Sequence, residues 1–510
     1  MRSPRDAVGL RPAVVSTDAD RECQWLIDNA AAYDRVVKSI TGAKTSIRIT
    51  QLAFDADCIA YGTGHKPDVS LAGVVAAASR DRNVDVRILM NQTLLLDTVK
   101  PLRKWFISHS AKDVNVRGVK RFPQLMHAKM VIVDDDEAFL VGSPFVNGYW
   151  DDSSHMPVDS RRPRRELGGR PLHDVSIRLT GNPVNEARAI FDDWWKTANG
   201  HCRPGESDSL EPTRPKMRSK RSNAAVQLVS TSPGCAARSG RKEILAACLE
   251  GISRAKSLIY VEHQYLSSRP IVKALRDALD RNPDLELVVV LNQNPDITAY
   301  RGWQNDRLKT SGLMDHPRVG LFSLWTAEPR SGRLAIASQV FVHSKVLIVD
   351  DNWAMAGSAN LDGVSLDSYG NDFAGAVARR LFRRVRNFDI CAIVRDGTDG
   401  VPPNGFVASL RARLWAEHLG MNRGATMLKP ASGWLSLWRK RARHNVKALS
   451  LNDTRHRFHG FVLPYSVKPS PAKQWADLGI RRQSESPRLA FNPGWVEVYL
   501  SPNWIRNMFL

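Results

Sequence analysis

One eight-residue pattern, H-x-K-x-x-x-x-D, occurs twice in this chain, and the similarity around it extends over most of the sequence. The two copies are His127-Lys129-Asp134 and His343-Lys345-Asp350. Three pairs of similar segments follow one another in the same order: 43–49 with 255–261, 85–91 with 286–292, and 126–134 with 342–350. Their offsets stay within about 200 to 216 residues, whereas a solenoid has shorter periods and more copies. The sequence therefore predicts a duplicated domain.

Each half has the pattern of an α/β domain. Short apolar runs at Ser46–Ile49, Val86–Met90 and Met130–Val133 predict buried strands. Helix-like stretches such as Leu71–Ser79 and Ile271–Leu279 lie between strands of this kind. The alternation predicts βαβ units and a largely parallel or mixed sheet in each half.

We expect five segments, because 510 residues suffice for two to four domains and the composition changes along the chain. The expected segments are an N-terminal extension (1–24), a first lobe (25–200), a linker (201–224), a second lobe (225–420) and a basic C-terminal extension (421–510). The linker is rich in Pro, Ser, Gly and charged residues.

The composition excludes several classes of protein. Apolar residues make up 43% of the chain, which argues against wholesale disorder, and six cysteines without a C-x-x-C pair argue against a zinc ribbon or a disulfide framework. We find neither a stretch of about 18 apolar residues nor an apolar signal region near the start. The expectation is a cytoplasmic protein, or one exported by a signal-independent route.

The charge balance predicts an anionic partner. Lys and Arg number 73 against 52 Asp and Glu, which gives a net charge of +21. Such a field favours nucleic acid, acidic lipid surfaces or phosphorylated substrates, without choosing among them.

The repeated histidine–lysine pair predicts phosphodiester chemistry. In an extended strand, residues i and i+2 point to the same side, so each motif presents an imidazole and an ammonium together. Two such pairs facing each other would neutralise a phosphodiester anion and the charge that develops in its transition state. One imidazole could then attack phosphorus while the other protonates the departing alkoxide.

A surface histidine and a metal site are the two other interpretations of the motif. A single such pair is usually a surface histidine, but two copies in matching context disfavour that. A metal site is also disfavoured, because a lysine beside each histidine repels a cation and no carboxylate-rich triad accompanies it. We therefore expect no metal and no cofactor.

The sequence resembles the phospholipase D superfamily, also called the HKD family, over about residues 25–420. The resemblance includes both motif segments and four further ones: 173–184 (HDVSIRLTGNPV), 259–266 (IYVEHQYL), 357–375 (GSANLDGVSLDSYGNDFAG) and 410–420 (LRARLWAEHLG). It implies two pseudo-symmetric α/β lobes packed together, with the active site at their interface. It also implies a covalent phosphohistidine intermediate and no metal requirement.

The resemblance implies roles for four residues of the catalytic machinery. His127 would be the nucleophile and His343 the general acid, although pseudo-symmetry lets either histidine serve. Asp174 and Asp372 match the positions of the carboxylates that fix the histidine tautomers.

Other matched residues would support the site. Asp134 and Asp350 belong to the catalytic signature, but we expect them to be structural because they end their strands. Ser358 and Asn360 match residues that support the phosphate-binding groups, and Ser143 is the first-half equivalent. The first half departs from the pattern, since Phe145 stands where Asn360 would be expected, and Asn147 is the candidate substitute.

Substrate contacts are predicted less sharply. Glu262 and Gln264 are substrate-binding candidates together with Tyr265, with a buried network as the alternative. Tyr149, Trp150, Trp303 and Trp325 are candidates for lipid or headgroup contact, with core packing as the alternative. The Arg161–Arg170 loop could meet phosphates, and Trp434–Arg443 has the aromatic and basic character of an interfacial segment.

These observations predict an enzyme that converts glycerophospholipids to phosphatidic acid and a free headgroup alcohol, or that transfers the phosphatidyl group to another alcohol. We expect a monomer that makes peripheral contact with anionic membranes. The alternatives are a phosphodiesterase or nuclease acting on nucleic acid, a cardiolipin synthase-like phosphatidyltransferase, and a catalytically silent membrane- or nucleic-acid-binding protein. Intact histidine–lysine pairs disfavour the last.

Overall fold

The computed structural model of the chain describes twelve ranges of residues. They are 23–62, 67–92, 97–120, 125–163, 169–198, 224–233, 240–328, 336–366, 387–396, 405–451, 457–467 and 484–485.

The strands of the first half are β1 (Cys23–Ile27), β2 (Ser46–Thr50), β3 (Ile59–Ala60), β4 (Val69–Ser70), β5 (Asp85–Asn91), β6 (Asn115–Val119), β7 (Met130–Val133), β8 (Glu137–Leu140), β9 (Leu172–His173) and β10 (Val175–Thr180). Those of the second half are β11 (Ala224–Thr231), β12 (Leu258–His263), β13 (Glu286–Leu291), β14 (Val319–Glu328), β15 (Ile336–Gln339), β16 (Phe341–Val342), β17 (Lys345–Val349), β18 (Trp353–Gly357), β19 (Asp389–Asp396), β20 (Val462–Pro464) and β21 (Ser484–Glu485).

The helices alternate with these strands. They span Asn29–Gly42, Leu71–Arg82, Val99–Ser108, Asn182–Ala198, Glu243–Ser253, Arg269–Arg281, Thr298–Thr310, Gly363–Leu366, Phe406–Leu419, Arg423–Met427 and Trp434–Leu451.

The two halves form equivalent sheets, as the repeat predicted. The first sheet has the order β1-β10-β8-β7-β2-β5-β6, and the second begins β11-β19-β18-β17-β12-β13-β14 before β15, β20 and β21 extend its edge. Seven strands of one sheet therefore correspond one by one to seven strands of the other.

Each sheet contains fewer parallel pairs than a run of βαβ units would give. The parallel pairs within the two described sheets are β2–β5 and β5–β6, their equivalents β12–β13 and β13–β14, and the edge pair β15–β21. The reason is the turn after each motif, where Asp134 and Asp135 both have positive φ, as do Asp350 and Asp351. Two successive left-handed residues form a tight hairpin, which makes β7–β8 and β17–β18 antiparallel.

A shared hydrophobic core joins the two lobes. Each sheet buries an outer face against its own helices, while side chains from the inner faces of both sheets belong to one cluster. The helices Asn182–Ala198 and Phe406–Leu419 contribute to this cluster through Trp194 and Trp415, which are fully buried. The motif strands β7 and β17 are central in their sheets, so the motifs meet at the lobe interface.

The second lobe continues beyond residue 420, where a separate extension was expected. β20 pairs with β14, and the helix Trp434–Leu451 packs on the same sheet. Trp434 and Trp438, which the sequence placed in an interfacial segment, are buried in the shared core instead. Their apolar area is needed there, because an aromatic side chain buries more surface in a core than most residues do.

Among the residues that the structure describes, no helix combines the length and the apolar character needed to cross a bilayer. The expected linker, residues 201–224, lies outside the described ranges except for Ala224, which begins β11.

Candidate active site

Both histidine–lysine dyads lie where the chain enters a central strand. Lys129 immediately precedes β7, and Lys345 is the first residue of β17. His127, Lys129, His343 and Lys345 are all buried, with exposed fractions of 9% or less. Each lysine Nζ donates a hydrogen bond to the carbonyl oxygen of its own histidine, at 2.7 Å for Lys129. This bond holds the ammonium close to the imidazole of the same motif.

The aspartates of the motifs lie at the other end of their strands and are structural in the way the sequence predicted. The Asp134 carboxylate accepts hydrogen bonds from the backbone N–H groups of residues 44–46, at 2.7–3.0 Å. Asp350 does the same for residues 256–258, at 2.7–2.9 Å. Each aspartate thereby fixes the start of the neighbouring parallel strand against the motif strand, and contacts neither histidine.

Backbone hydrogen bonds between the lobes bring the two motifs together. The Phe388 carbonyl accepts from the N–H of His127 at 3.0 Å and from that of Ala128 at 2.7 Å. In the equivalent contact, the His173 carbonyl accepts from the N–H of His343 at 2.8 Å. The chain just before each catalytic strand is therefore paired with the opposite lobe.

Each histidine is held by a carboxylate from the opposite lobe. His127 Nδ1 lies 2.7 Å from Asp389 Oδ1, and His343 Nδ1 lies 2.8 Å from Asp174 Oδ2. A carboxylate accepts the Nδ1 proton of an imidazole, so the lone pair is left on Nε2. Neither half-site is complete without the other lobe.

The Gly-Ser pair that follows each motif supports these carboxylates. Ser358 Oγ donates to Asp389 Oδ1 at 2.7 Å, and Ser143 Oγ donates to Asp174. The glycine is required by space, since a Cβ at Gly142 would lie 1.9 Å from the Asp174 carboxylate. The two serines, predicted as substrate-binding residues, thus orient the carboxylates that orient the histidines.

Sequence reasoning missed Asp389. The matched position, Asp372, lies outside the described residues, and the Nδ1 of His127 is bound by Asp389 instead. A signal for it exists: Asp174 and Asp389 are separated by the same offset of about 215 residues as Ser143 and Ser358. Both aspartates also precede or begin an equivalent strand, β10 and β19.

Burial and the neighbouring lysines keep both histidines neutral. Burial, followed by the charge of Lys345, lowers the pKa of His343 to about 3, against the opposing effect of Asp174. Burial, followed by the charge of Lys129, also lowers the pKa of His127. A neutral imidazole with its lone pair on Nε2 is the form that can act as a nucleophile or as a base.

The two lysines interact with each other as well as with the histidines. Burial and the charge of Lys345 lower the pKa of Lys129 to about 7, and burial lowers that of Lys345 to about 8. The charge of Lys345 acts on Lys129, so the two ammonium groups lie near each other, and an anion bound beside them would favour their charged forms.

The half-sites differ beside the serines. Asn360 is buried, and its side-chain oxygen has no hydrogen-bond partner within the described part of the chain. Phe145, at the matching position, packs against Phe54, and the Asn147 side chain binds the backbone at Asp57, at 2.6 Å, so it does not replace Asn360. Asn29, which sequence reasoning did not select, donates to Ser143 Oγ at 2.8 Å.

Glu262 and Gln264 do not line an open substrate surface. Glu262 is fully buried, and its carboxylate accepts hydrogen bonds from Tyr260, Ser344 and His418. Gln264 is buried too and donates to the Tyr265 hydroxyl at 3.0 Å. The alternative of a buried polar network holds for both.

Most of the aromatic and arginine candidates have structural positions. Trp150, Trp303 and Trp325 are buried, whereas the Tyr149 ring lies 5.2 Å from that of His343. In the arginine loop, Arg161 and Arg162 form ion pairs with Asp159 and Asp151, and residues 164–168 lie outside the described ranges.

Comparison with known proteins identifies the family of the chain. A family model described as "Cardiolipin synthase, PLD-like domain" matches residues 36–147 and 248–377, and one described as "Phospholipase D" matches residues 329–472. Together they match more than half of the chain, including both motifs.

Two curated relatives are phospholipases D of plants. Phospholipase D zeta 1 of Arabidopsis thaliana is 25% identical over 337 aligned positions that cover 57% of this chain and 29% of the relative. Phospholipase D alpha 2 of Oryza sativa subsp. japonica is 24% identical over 409 positions that cover 58% of this chain and 49% of the relative. This chain therefore spans less than half the length of either relative.

Solved structures that match the chain include phosphatidylserine synthase of Haemophilus influenzae Rd KW20, with a TM-score of 0.46 and 13% identity, covering 74% of this chain and 82% of that one. A phospholipase D family member of Salmonella typhimurium has a TM-score of 0.22 and 18% identity, covering 34% of this chain and 84% of that one. From the family matches on both motifs, we conclude that the chain belongs to the phospholipase D superfamily.

Proposed function

We propose that the protein cleaves the headgroup phosphodiester of glycerophospholipids through a phosphohistidine intermediate and passes the phosphatidyl group to water or to another alcohol. The observation that carries the proposal is the crossed pairing, in which each histidine is oriented by a carboxylate of the opposite lobe. Two oriented imidazoles and two buried lysines at the lobe interface match the needs of a double displacement at phosphorus.

In the first step, Nε2 of one histidine attacks phosphorus, and the bond from phosphorus to the headgroup oxygen breaks. The other histidine donates its proton to that oxygen, so the headgroup leaves as a neutral alcohol. In the second step, this histidine takes a proton from water or an alcohol, whose oxygen attacks the phosphohistidine. The free nucleophile is thereby restored.

We assign His127 as the nucleophile and His343 as the acid, following the resemblance. The pKa of His343, which burial and the charge of Lys345 lower to about 3, favours the opposite assignment, because this ring then holds a proton weakly. A bound phosphodiester opposes this effect, because an anion near the imidazole favours its protonated form.

The test is product analysis on vesicles that contain phosphatidylcholine, phosphatidylethanolamine and phosphatidylglycerol, with and without ethanol. We expect phosphatidic acid without ethanol and phosphatidylethanol with it, both detected by mass spectrometry. His127→Ala should abolish both products, whereas the control His109→Ala, at an exposed histidine, should retain them.

Nucleic acid is the competing substrate, favoured by the net charge of +21. A parallel assay with single- and double-stranded oligonucleotides separates the two. Cleavage of oligonucleotides that is lost in His127→Ala, without any phosphatidyl product from the vesicles, would overturn the lipid proposal.

A further inference from the structure

A second cluster of ionisable side chains lies between the lobes, next to the carboxylate that holds His343. Its members come from both halves of the chain, and all but Glu417, whose side chain is 11% exposed, are buried: Asp28, Asp151, His155, Arg162, His173, Glu262, Glu417 and His418. His173 directly precedes Asp174 in the sequence. The reaction proposed above uses none of these groups.

Four donor atoms of this cluster converge on one point. His173 Nδ1 lies 2.9 Å from Asp28 Oδ1 and 3.0 Å from Glu417 Oε1. His155 Nε2 lies 3.3 Å from the same Glu417 oxygen and 3.7 Å from the same Asp28 oxygen. Zinc binds nitrogen and oxygen donors tetrahedrally at about 2.0–2.2 Å, which places neighbouring donors about 3.3–3.5 Å apart. The four distances bracket that value.

The contacts of His173 fit coordination better than hydrogen bonding. Carboxylate oxygens lie about 3 Å from both ring nitrogens, yet neither nitrogen has a hydrogen-bond partner of good geometry within the described residues. In a tetrahedral site the metal occupies the axis of each lone pair, so the neighbouring ligand atoms lie off that axis. A fully buried imidazole without an aligned acceptor is otherwise costly.

An outer partner would hold the His155 imidazole in the ligating orientation. His155 Nδ1 lies 2.9 Å from Asp151 Oδ2, and Asp151 is paired with the buried Arg162. A carboxylate on the second nitrogen of a histidine is the usual outer-shell partner of a metal-bound imidazole.

The charge of the cluster also favours a cation. Four carboxylates, those of the buried Asp28, Asp151 and Glu262 and of the largely buried Glu417, face one guanidinium, that of Arg162. This excess of negative charge attracts a divalent ion, which would replace any protons on the imidazoles.

We propose that Asp28, His155, His173 and Glu417 form a structural site for one Zn²⁺ or a similar divalent transition metal. Asp28, His155 and His173 belong to the first lobe, and Glu417 lies on the helix Phe406–Leu419 of the second. The ion would fasten the two lobes together directly behind Asp174. It takes no part in phosphoryl transfer, so the proposal is independent of the substrate.

The experiment is to purify the full chain without chelators, exchange its metal for Co²⁺ by dialysis, and record metal content and the visible spectrum. We expect about one Co²⁺ per chain with the intense absorption of tetrahedral cobalt, and a lower unfolding midpoint after chelation. His155→Gln and Glu417→Gln should weaken Co²⁺ binding by at least 10-fold. The matched controls are His109→Gln, at an exposed histidine, and His127→Ala, at the catalytic dyad; both should bind as the wild type does.

Two results would overturn the proposal. One is a wild-type chain that neither retains Co²⁺ after removal of free metal nor changes its unfolding midpoint on chelation; the cluster would then be held by protonated imidazoles. The other is binding that is lost in His127→Ala and kept in Glu417→Gln, which would place the ion at the dyads. Because the first readout uses the wild type alone, it holds even if a variant fails to fold.

Discussion

The half-site around His127 and the half-site around His343 have the same construction but different surroundings. In both, an aspartate of the opposite lobe binds Nδ1 of the histidine, and a serine of that lobe donates to the aspartate. His343 has a further contact at 3.2 Å with Ser143 Oγ. Burial lowers the pKa of both histidines, that of His343 to about 3.

The surroundings of the two half-sites differ from the residue that precedes Asp174 and Asp389. His173 precedes Asp174 and connects the His343 half-site to the buried ionic cluster. Phe388 precedes Asp389 and packs against Trp194 in the apolar core. One duplicated scaffold thus places two copies of the motif in two electrostatic environments, and we expect these environments to separate the roles of the two histidines.

The largest expected effect comes from removing one histidine at a time. His127→Ala and His343→Ala should each lower kcat by at least about 10³-fold, because each removes a group that acts in the transition state. The variants should differ with a phosphodiester whose leaving group needs no protonation. There His343→Ala should still accumulate a phosphoenzyme, detected by mass spectrometry of the intact chain, and His127→Ala should not. Accumulation in His127→Ala alone would exchange the two roles.

The next effect concerns the carboxylates. Asp389→Asn should lower kcat by about 10²- to 10⁴-fold, since an amide can no longer hold the Nδ1–H tautomer of His127. Asp174→Asn should act similarly on His343. Asp372→Asn is the matched control, and its steady-state kinetics should stay close to those of the wild type. A large loss in Asp372→Asn with a small one in Asp389→Asn would return Asp372 to the catalytic set.

Asp174, which was predicted, and Asp389, which was not, show what the sequence can and cannot predict at this site. Motif residues were predictable because their spacing repeats and their chemistry is specific. Asp389 was missed because its role depends on which lobe it faces, and a cross-lobe contact leaves no local pattern. The repeat offset carried the information, but only a comparison of the two halves beyond the motifs would have revealed it.

The fold was predictable at the level of two α/β lobes, and less so in its strand directions and aromatic positions. The apolar pattern predicts a parallel connection after Val133, but the Asp134–Asp135 turn makes it a hairpin. The hairpin depends on the positive φ of these two residues, which apolar periodicity does not report. Trp434 and Trp438 have the composition of a membrane-surface segment, yet they fill the core because a neighbouring sheet offers an apolar face. Tertiary packing therefore determines whether such aromatic side chains lie on the surface or in the core.

A third prediction concerns the lysines, whose pKa values near 7 and 8 also distinguish the half-sites. Both must be protonated to bind an anion, so kcat/KM should fall as pH rises through 7 to 8 in the free enzyme. Lys129→Met should lower kcat/KM by about 10²-fold or more and shift the remaining decline toward pH 8, the value for Lys345. A pH profile of kcat/KM measures both effects. A wild-type profile of kcat/KM that stays flat to pH 9 would contradict the prediction that both lysines must be protonated to bind the substrate.

We expect the smallest effect for the two motif aspartates, and we expect it to be equal in both lobes. Asp134→Asn and Asp350→Asn each weaken three backbone hydrogen bonds to a carboxylate, and we expect each to lower the free energy of unfolding by about 1–3 kcal/mol. Activity per folded molecule should be kept, because neither carboxylate contacts a histidine.

The pH dependence of Asp134→Asn checks that mechanism. Burial raises the pKa of Asp134, but the hydrogen bonds from residues 44–46 outweigh burial and lower it. A lowered folded-state pKa means that the stabilisation is present above the unfolded-state value of about 3.9 and is lost as pH falls through the folded-state value. The difference in unfolding midpoint between wild type and variant should therefore be constant from pH 7 to about pH 5 and shrink below pH 4. Equal changes in unfolding midpoint for Asp134→Asn and Asp350→Asn would show that the two motif strands are alike and that the half-sites differ only at the lobe interface. A change confined to one lobe would place part of that difference in the scaffold itself.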